Sequence, residues 1–280
     1  MFYLLNRFIQ MKILLNNNDL NRALKNVLKL GFVPTMGSIH DGHKSLIDKS
    51  KIECKETLVS IFVNPKQFNN KNDFQNYPKN IKKDLSLLKK MKVNYVYLPS
   101  YKDVYYPKKR MKISINKNDK ILCAKFRNGH FEGVLEVMDR LTNLINPYKI
   151  YMGEKDYQQL YLVRNYINKK YKTKVVSCKT IRNKNKLALS SRNFHLTNKN
   201  LNIAEKISQN LLSFKKKLIK EKVISRSISL KKLELIRLFK INIEYLELRN
   251  KKNLKKTNKI KNSKLFFAYY INKIRLIDNY

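Results

Sequence analysis

Residues 31–43 read Gly31-Phe32-Val33-Pro34-Thr35-Met36-Gly37-Ser38-Ile39-His40-Asp41-Gly42-His43, an apolar run that breaks into a loop carrying two histidines. The apolar residues predict a short buried strand over Gly31–Thr35. Gly37 and Gly42 let the backbone turn tightly and approach a ligand. Apolar positions at helical spacing across Lys44–Cys54 then predict a helix that starts near His43. The first amides of such a helix have no partner within it, and its dipole leaves partial positive charge there. An anion over the strand tip is therefore expected, and phosphate is the usual occupant. His40 and His43 both reach that point. They donate to phosphate oxygens, pass a proton to a leaving group, or merely cap the helix, and other segments must decide between these.

The 280 residues suffice for a sizeable core in one large or two modest domains, and two are expected. Apolar residues at 43% are ordinary for a globular chain, whereas a net charge of +41, from 61 Lys and Arg against 20 Asp and Glu, is not. Such charge points to nucleic acid or anionic membranes when it is clustered. Here the lysines are spread evenly, with heavy use of Asn, Ile and Tyr and no Trp. That pattern fits a biased coding background, so no specific nucleic-acid partner is expected. Cys54, Cys123 and Cys178 lie far apart without a CxxC pair, which argues against a zinc site or disulfide framework and favours a reducing compartment. The longest apolar run, Val59 with Ile61–Val63, is far short of the roughly 20 residues of a membrane span. Residues 1–10 lack a charged start and a cleavage site and are read as an extension ahead of Met11.

Between Gly31 and Ile181, β-rich runs alternate with helical periods, the signature of an α/β fold: a Rossmann-like, doubly wound parallel sheet. The strands are expected at Gly31–Thr35, Thr57–Val63, Val93–Leu98, Lys149–Met152 and Lys174–Ile181. Helices are expected at Lys44–Cys54, Lys79–Met91, Gly133–Ile145 and Gln158–Lys170. Residues 11–181 form this domain, and residues 182–280 a smaller α+β domain that closes over it. The latter shows long amphipathic stretches at Asn200–Lys220 and Ser227–Lys240, then short β runs at Glu244–Arg249, Lys264–Tyr270 and Lys273–Ile277, with a solvated Lys/Asn loop at Asn250–Lys264.

Doubly wound sheets bind ligands at the carboxyl ends of their strands, and polar loops collect there. They are the histidine loop, Asn64–Phe68, Gly153–Asp156 and Leu189–Arg192. Gln67 and Gln159 offer neutral amides suited to a carboxylate that must stay nucleophilic, or are simply surface glutamines. Lys155 and Arg192 supply cationic donors for phosphates, with Ser190 and Ser191 beside them. Asp156 either bonds a ribose hydroxyl or caps the next helix.

In chain order, PTMGSIHDGH, SIFVNPKQF followed by DFQNYP, RNGHFEGV, MGEKDYQQL, LALSSRN and RLIDN resemble the pantoate–β-alanine ligase family, from Met11 to Asn279. HxGH alone is shared with a wider nucleotidyltransferase superfamily. The resemblance implies a two-step ligase. ATP and pantoate give pantoyl adenylate and pyrophosphate, and the β-alanine amine then displaces AMP to form pantothenate. It implies that Met36, Gly37, Ser38, Ile39, His40, Asp41, Gly42 and His43 line the ATP site, with His43 as proton donor. Gly153, Glu154, Lys155, Asp156, Ile181, Leu189, Ser190, Ser191 and Arg192 complete it, and Gln67 and Gln159 hold pantoate. By the same resemblance Asn64, Arg127 and His130 are pocket residues and Asp84 aids Mg2+, which accompanies ATP. A cytoplasmic homodimer without a membrane partner is implied as well. Departures from the family pattern are Asn185 and Lys186 in place of Asp-Gly, Ala124 and Asn128 around the RxGH segment, and Lys79 after Tyr77-Pro78. The alternative, a related nucleotidyltransferase acting on a phosphorylated substrate, leaves Gln67 and Gln159 without a task.

Overall fold

Alternation along short strands sorts the core into two layers. In the computed structural model, which describes residues 10–106, 113–221 and 223–280, the amino-terminal sheet comprises β1 (Lys12–Leu14), β2 (Leu30–Thr35), β3 (Glu56–Ile61), β4 (Tyr95–Tyr97), β5 (Lys149–Gly153) and β6 (Lys174–Cys178). All pairings are parallel, in the order β1-β4-β3-β2-β5-β6. Side chains on successive strand residues point to opposite faces. Phe32, Leu58, Tyr95, Tyr97, Ile150 and Met152 accordingly face one core, and Val33, Val59, Val96 and Tyr151 the other. The first core is covered by α1 (Asn17–Leu24), α7 (His130–Ile145) and α8 (Tyr157–Lys170). The second is covered by α2 (Asp41–Glu53) and α4 (Ile81–Lys90). Short helices α3 (Lys71–Gln75), α5 (Tyr101–Tyr105) and α6 (Cys123–Phe126) sit in the connections.

The expected doubly wound class is observed. From β2 the chain steps outward to β3 and β4, then crosses back to place β5 on the other side of β2. The strand order reverses between β2 and β5, and that crevice is the topological switch point where such folds bind ligands.

The carboxy-terminal residues form α9 (Asn198–Lys217), α10 (Ile224–Phe239) and an antiparallel sheet of β7 (Asn242–Asn250), β8 (Ser263–Ile271) and β9 (Ile274–Asn279). One face, with Leu246, Leu248, Leu265, Phe267 and Tyr269, packs under α9 and α10. The other presents Tyr245, Phe266 and Ala268 to the core of the larger sheet. The two units therefore share apolar core at their junction.

Several expectations are corrected. β1 and α1 were not expected; β1 is a three-residue edge strand in which only Leu14 is buried, which leaves little periodicity to read. β6 ends at Cys178, so Lys179–Ile181 already belong to the loop over the site. The Lys/Asn stretch Asn250–Lys264 is not a wholly solvated loop: β7 runs through Asn250, and Leu254 is fully buried. Residues 1–9 of the expected extension lie outside the described residues.

Gly31 shows how closely α2 lies on β2. A Cβ there would stand 2.1 Å from Ser50 Oγ and 3.1 Å from Cys54 Sγ. Gly31→Ala is expected to lower stability by about 1–3 kcal/mol through overpacking. Ser50→Ala in the same chain should restore part of the loss, read as a coupling energy in urea denaturation.

Candidate active site

The loop leaving β2 is tied down from three sides. Thr35 Oγ1 donates to Ser60 O at 2.7 Å and accepts from Gly37 N at 3.1 Å. Asp84, buried in the first turn of α4, accepts from Ser38 N and Ile39 N, both at 2.8 Å. Gly37 is left-handed at φ +82°, and a Cβ there would lie 3.0 Å from Asp84 Oδ2. The loop then enters α2 through a reciprocal cap. His40 Nδ1 accepts from Gly42 N at 3.1 Å, and His43 Nδ1 accepts from His40 N at 3.3 Å.

An acceptor role for both Nδ1 atoms places each imidazole proton on Nε2. The two rings lie 4.1 Å apart. Burial, then the nearby Lys155 charge, pushes His40 down to about 4, and burial, then His40, pushes His43 down to about 3. Near neutral pH both are uncharged rings with one N–H to give. Capping and ligand contact, alternatives in the sequence, are thus compatible: capping occupies Nδ1 and leaves Nε2–H.

Opposite, β5 ends in a 3-10 turn over Glu154–Asp156, where Lys155 Nζ lies 3.4 Å from Asp156 Oδ1. Ser190 caps a second turn, over Ser191–His195, by accepting from Arg192 N at 3.3 Å. Ser191 Oγ donates to Ser38 O at 3.4 Å, which joins this loop to the histidine loop. Arg192 pairs with Asp73 of α3 at 2.8 Å.

The third wall follows β3. Asn64 is buried and fully engaged: its Oδ1 accepts from Tyr105 Oη at 2.8 Å, and its Nδ2 donates to Gly133 O at 3.1 Å. Gln67 Nε2 lies 2.8 Å from Met36 Sδ, and the Gln67 backbone carbonyl accepts from His130 Nδ1 at 2.7 Å. His130 Nε2 in turn accepts from Arg127 at 2.9 Å. Burial, then Arg127, pushes His130 down to about 3. Gly133 lets α7 approach this wall, since a Cβ there would fall 2.2 Å from Lys66 O.

These walls enclose one cavity of about 300 Å³ at the switch point. Met36, His40, Gly42, His43, Gln67, Gly153, Lys155, Asp156, Gln159, Ile181, Leu189, Ser190, Ser191 and Arg192 line it, as do Asn64, Arg127 and His130. Five residues expected at the nucleotide do not: Gly37, Ser38 and Ile39 form the turn that lies on Asp84, Asp41 turns to solvent with Lys44 at 2.7 Å, and Glu154 pairs with Lys264 at 3.1 Å. Asp84 lies off the cavity, both oxygens taken by amides. Sequence reasoning assigned nothing to Asp73, Tyr77 or Arg182, nor any role to Asp278 and Asn279 within RLIDN. All but Asp73 and Arg182 line the cavity, and those two hold lining residues.

Strand order, a double-histidine loop at the switch point and an opposed Ser-Ser-Arg turn define a doubly wound α/β protein with its ligand site at the carboxyl ends of the strands. The chain belongs to the pantoate-beta-alanine ligase family, whose model matches residues 10–280. It is 38% identical over 270 residues to pantothenate synthetase of Francisella tularensis subsp. novicida, covering 94% of this chain and 93% of that protein. With the pantothenate synthetase of a Sulfurihydrogenibium species it shares 39% over 265 residues, 90% of this chain and 91% of the relative. Its fold matches the crystal structure of pantothenate synthetase from Thermus thermophilus with a TM-score of 0.89 at 28% identity, over 96% and 99% of the two chains. The Francisella tularensis pantoate-beta-alanine ligase complexed with beta-gamma ATP and beta-alanine matches with a TM-score of 0.81 at 35% identity, over 96% and 97%.

The depressed histidines set a pH dependence of stability. Their folded values lie below the unfolded value of 6.5, so the unfolded chain takes up protons that the folded one refuses. Stability from this source is complete above 6.5 and is lost as pH falls toward 3. His130→Gln is expected to flatten the decline of the urea midpoint with acidification relative to the parent protein.

Proposed function

We propose that this chain is an ATP-dependent ligase that condenses pantoate with β-alanine to give pantothenate, AMP and pyrophosphate through a pantoyl adenylate. One observation carries the residue roles: His43, Lys155, Arg192, Gln67 and Gln159, remote in sequence, line a single cavity.

In the first step a pantoate carboxylate oxygen attacks the α-phosphorus. The new O–P bond forms as the bond to the bridging oxygen breaks, and pyrophosphate leaves with that electron pair. Charge grows on the bridging oxygen, where donors held in advance act most strongly. Lys155 and Arg192 supply charge there, and His43 supplies its Nε2–H. A neutral His43 stabilises by hydrogen bonding. An adjacent triphosphate raises its proton affinity, which makes the proton-donor role a property of the loaded site. His40, Gly42, Gly153, Asp156, Ile181 and Leu189–Ser191 surround the remainder of the nucleotide. In the second step the β-alanine nitrogen attacks the acyl carbon, the C–O bond to AMP breaks, and the amine gives up a proton. Gln67 and Gln159 hold pantoate without a charge that would quench its carboxylate, with Gln67 also placed for β-alanine. Residues 182–280 shield the hydrolysable adenylate from water.

Mg2+ is assigned no protein cage. Among the described residues no group of three or more His, Cys, Asp or Glu could hold a metal ion, and both Asp84 oxygens serve amides. The ion enters on the ATP phosphates, as Mg2+ commonly does. Cytoplasmic residence and a homodimer belong to the same proposal. Three free cysteines accord with a reducing compartment, and no helix among the described residues is long and apolar enough to cross a membrane.

Pyrophosphate release that depends on pantoate, and AMP formation that rises with β-alanine, test the reading. His43→Ala and Lys155→Ala should each lower release by about 10²-fold or more with an unchanged circular dichroism spectrum. Undiminished release in both would remove the assignment, and release without any carboxylic acid would favour the related nucleotidyltransferase.

A further inference from the structure

The terminal motif RLIDN lies on β9, its Asp278 and Asn279 line the cavity, and the chemistry above leaves it without a task. Its last two residues are buried, Asp278 at 5% exposure and Asn279 at 3%. Asn279 Nδ2 donates to two adjacent carbonyls, Glu154 O at 2.7 Å and Lys155 O at 2.8 Å, while its Oδ1 accepts from Lys264 Nζ at 2.8 Å. Asp278 accepts from Arg182 at two points, 2.7 and 2.8 Å, and Arg182 also donates to Lys186 O at 2.9 Å and Asn279 O at 3.0 Å.

We propose that Asp278 and Asn279 are positioning residues, a clamp by which one strand end sets the two loops that meet the nucleotide. Asn279 fixes the backbone that aims Lys155, and Asp278, through Arg182, fixes the loop from Ile181 to Leu189. This inference rests on the ligase reading. The residue types fit the task. Two converging carbonyls need two protons from one atom without added charge, and a primary amide supplies them. A carboxylate at position 279 would turn lone pairs toward both carbonyls, and a lysine would set a second cation beside Lys155. At position 278, a two-point guanidinium pair fixes direction as well as distance. Lys264 holds the same turn from a second side, 3.1 Å from Glu154 Oε2 and 5.2 Å from the Tyr157 ring centroid.

The test uses Asn279→Asp and the milder Lys264→Met in the full chain, with the parent protein alongside. Pantoate-dependent pyrophosphate release by the parent protein establishes the ligase reading first. Calorimetric titration with ATP then tests the clamp without reference to the acid. In Asn279→Asp, KM for ATP is expected to rise and the adenylation rate to fall by about tenfold or more, with KM for β-alanine unchanged. Lys264→Met should move the same constants less. A general loss of packing would not show the split between substrates. If Asn279→Asp does not fold, Lys264→Met decides. Unchanged ATP affinity and adenylation rate in the folded variants would overturn the clamp.

Discussion

A carboxylate buried beneath a loop, Asp84 on the amides of Ser38 and Ile39, is the contact on which the site depends. It sits in the first turn of α4, where the helix dipole favours negative charge, and spends that charge on the strand-to-helix turn. Without it the turn would carry two unpartnered amides, and a buried orphan costs about 1–3 kcal/mol. The consequence passes along the chain. A fixed turn places His40 to cap α2, the cap fixes His43, and both residues line the cavity with Nδ1 occupied and Nε2–H left to donate. The N-terminus of α2 therefore presents histidine rings to the cavity, because His40 already takes the amides of Gly42, His43 and Lys44.

The cations of the site do not wait unpartnered. Lys155 lies against Asp156, and Arg192 against Asp73. Arg127 is pushed down to about 10 by burial and then by Arg192. On the proposed function, an arriving polyphosphate would exchange these internal partners for its own oxygens, and its net gain would be the difference between two sets of ion pairs. The pairing also lessens, without removing, the repulsion between clustered positive charges in a chain already at +41.

Much of this was legible in the residues. Gly31–His43 carried the strand, the turn and the helix start, because apolar period and glycine placement are local signals. The strand-end loops followed from the fold class, and the resemblance then named the motifs among them. What stayed hidden was mostly long-range. Nothing near Asp84 says that it lies under a loop 46 positions away, and Asp73 and Arg192 are 119 apart. Leu254 looked solvated because its neighbours are lysines and asparagines, yet a single buried leucine leaves no periodicity. The assignment of Gly37–Ile39 and Asp41 to the nucleotide treated a motif as a uniform lining. Met36, His40, Gly42 and His43 line the cavity while Gly37–Ile39 and Asp41 do not, so only part of the turn meets it.

The bonds from β9 to the β5 turn and to Arg182 span 124, 125 and 96 residues. Contacts of such separation form slowly, since the loop-closure entropy of the intervening chain comes first. During synthesis the histidine turn can be complete while the loops facing it still lack their last anchor. Maturation of the pocket is thereby coupled to the final hairpin. A folding intermediate with an intact parallel sheet would hold one half of its machinery in order and the other adrift.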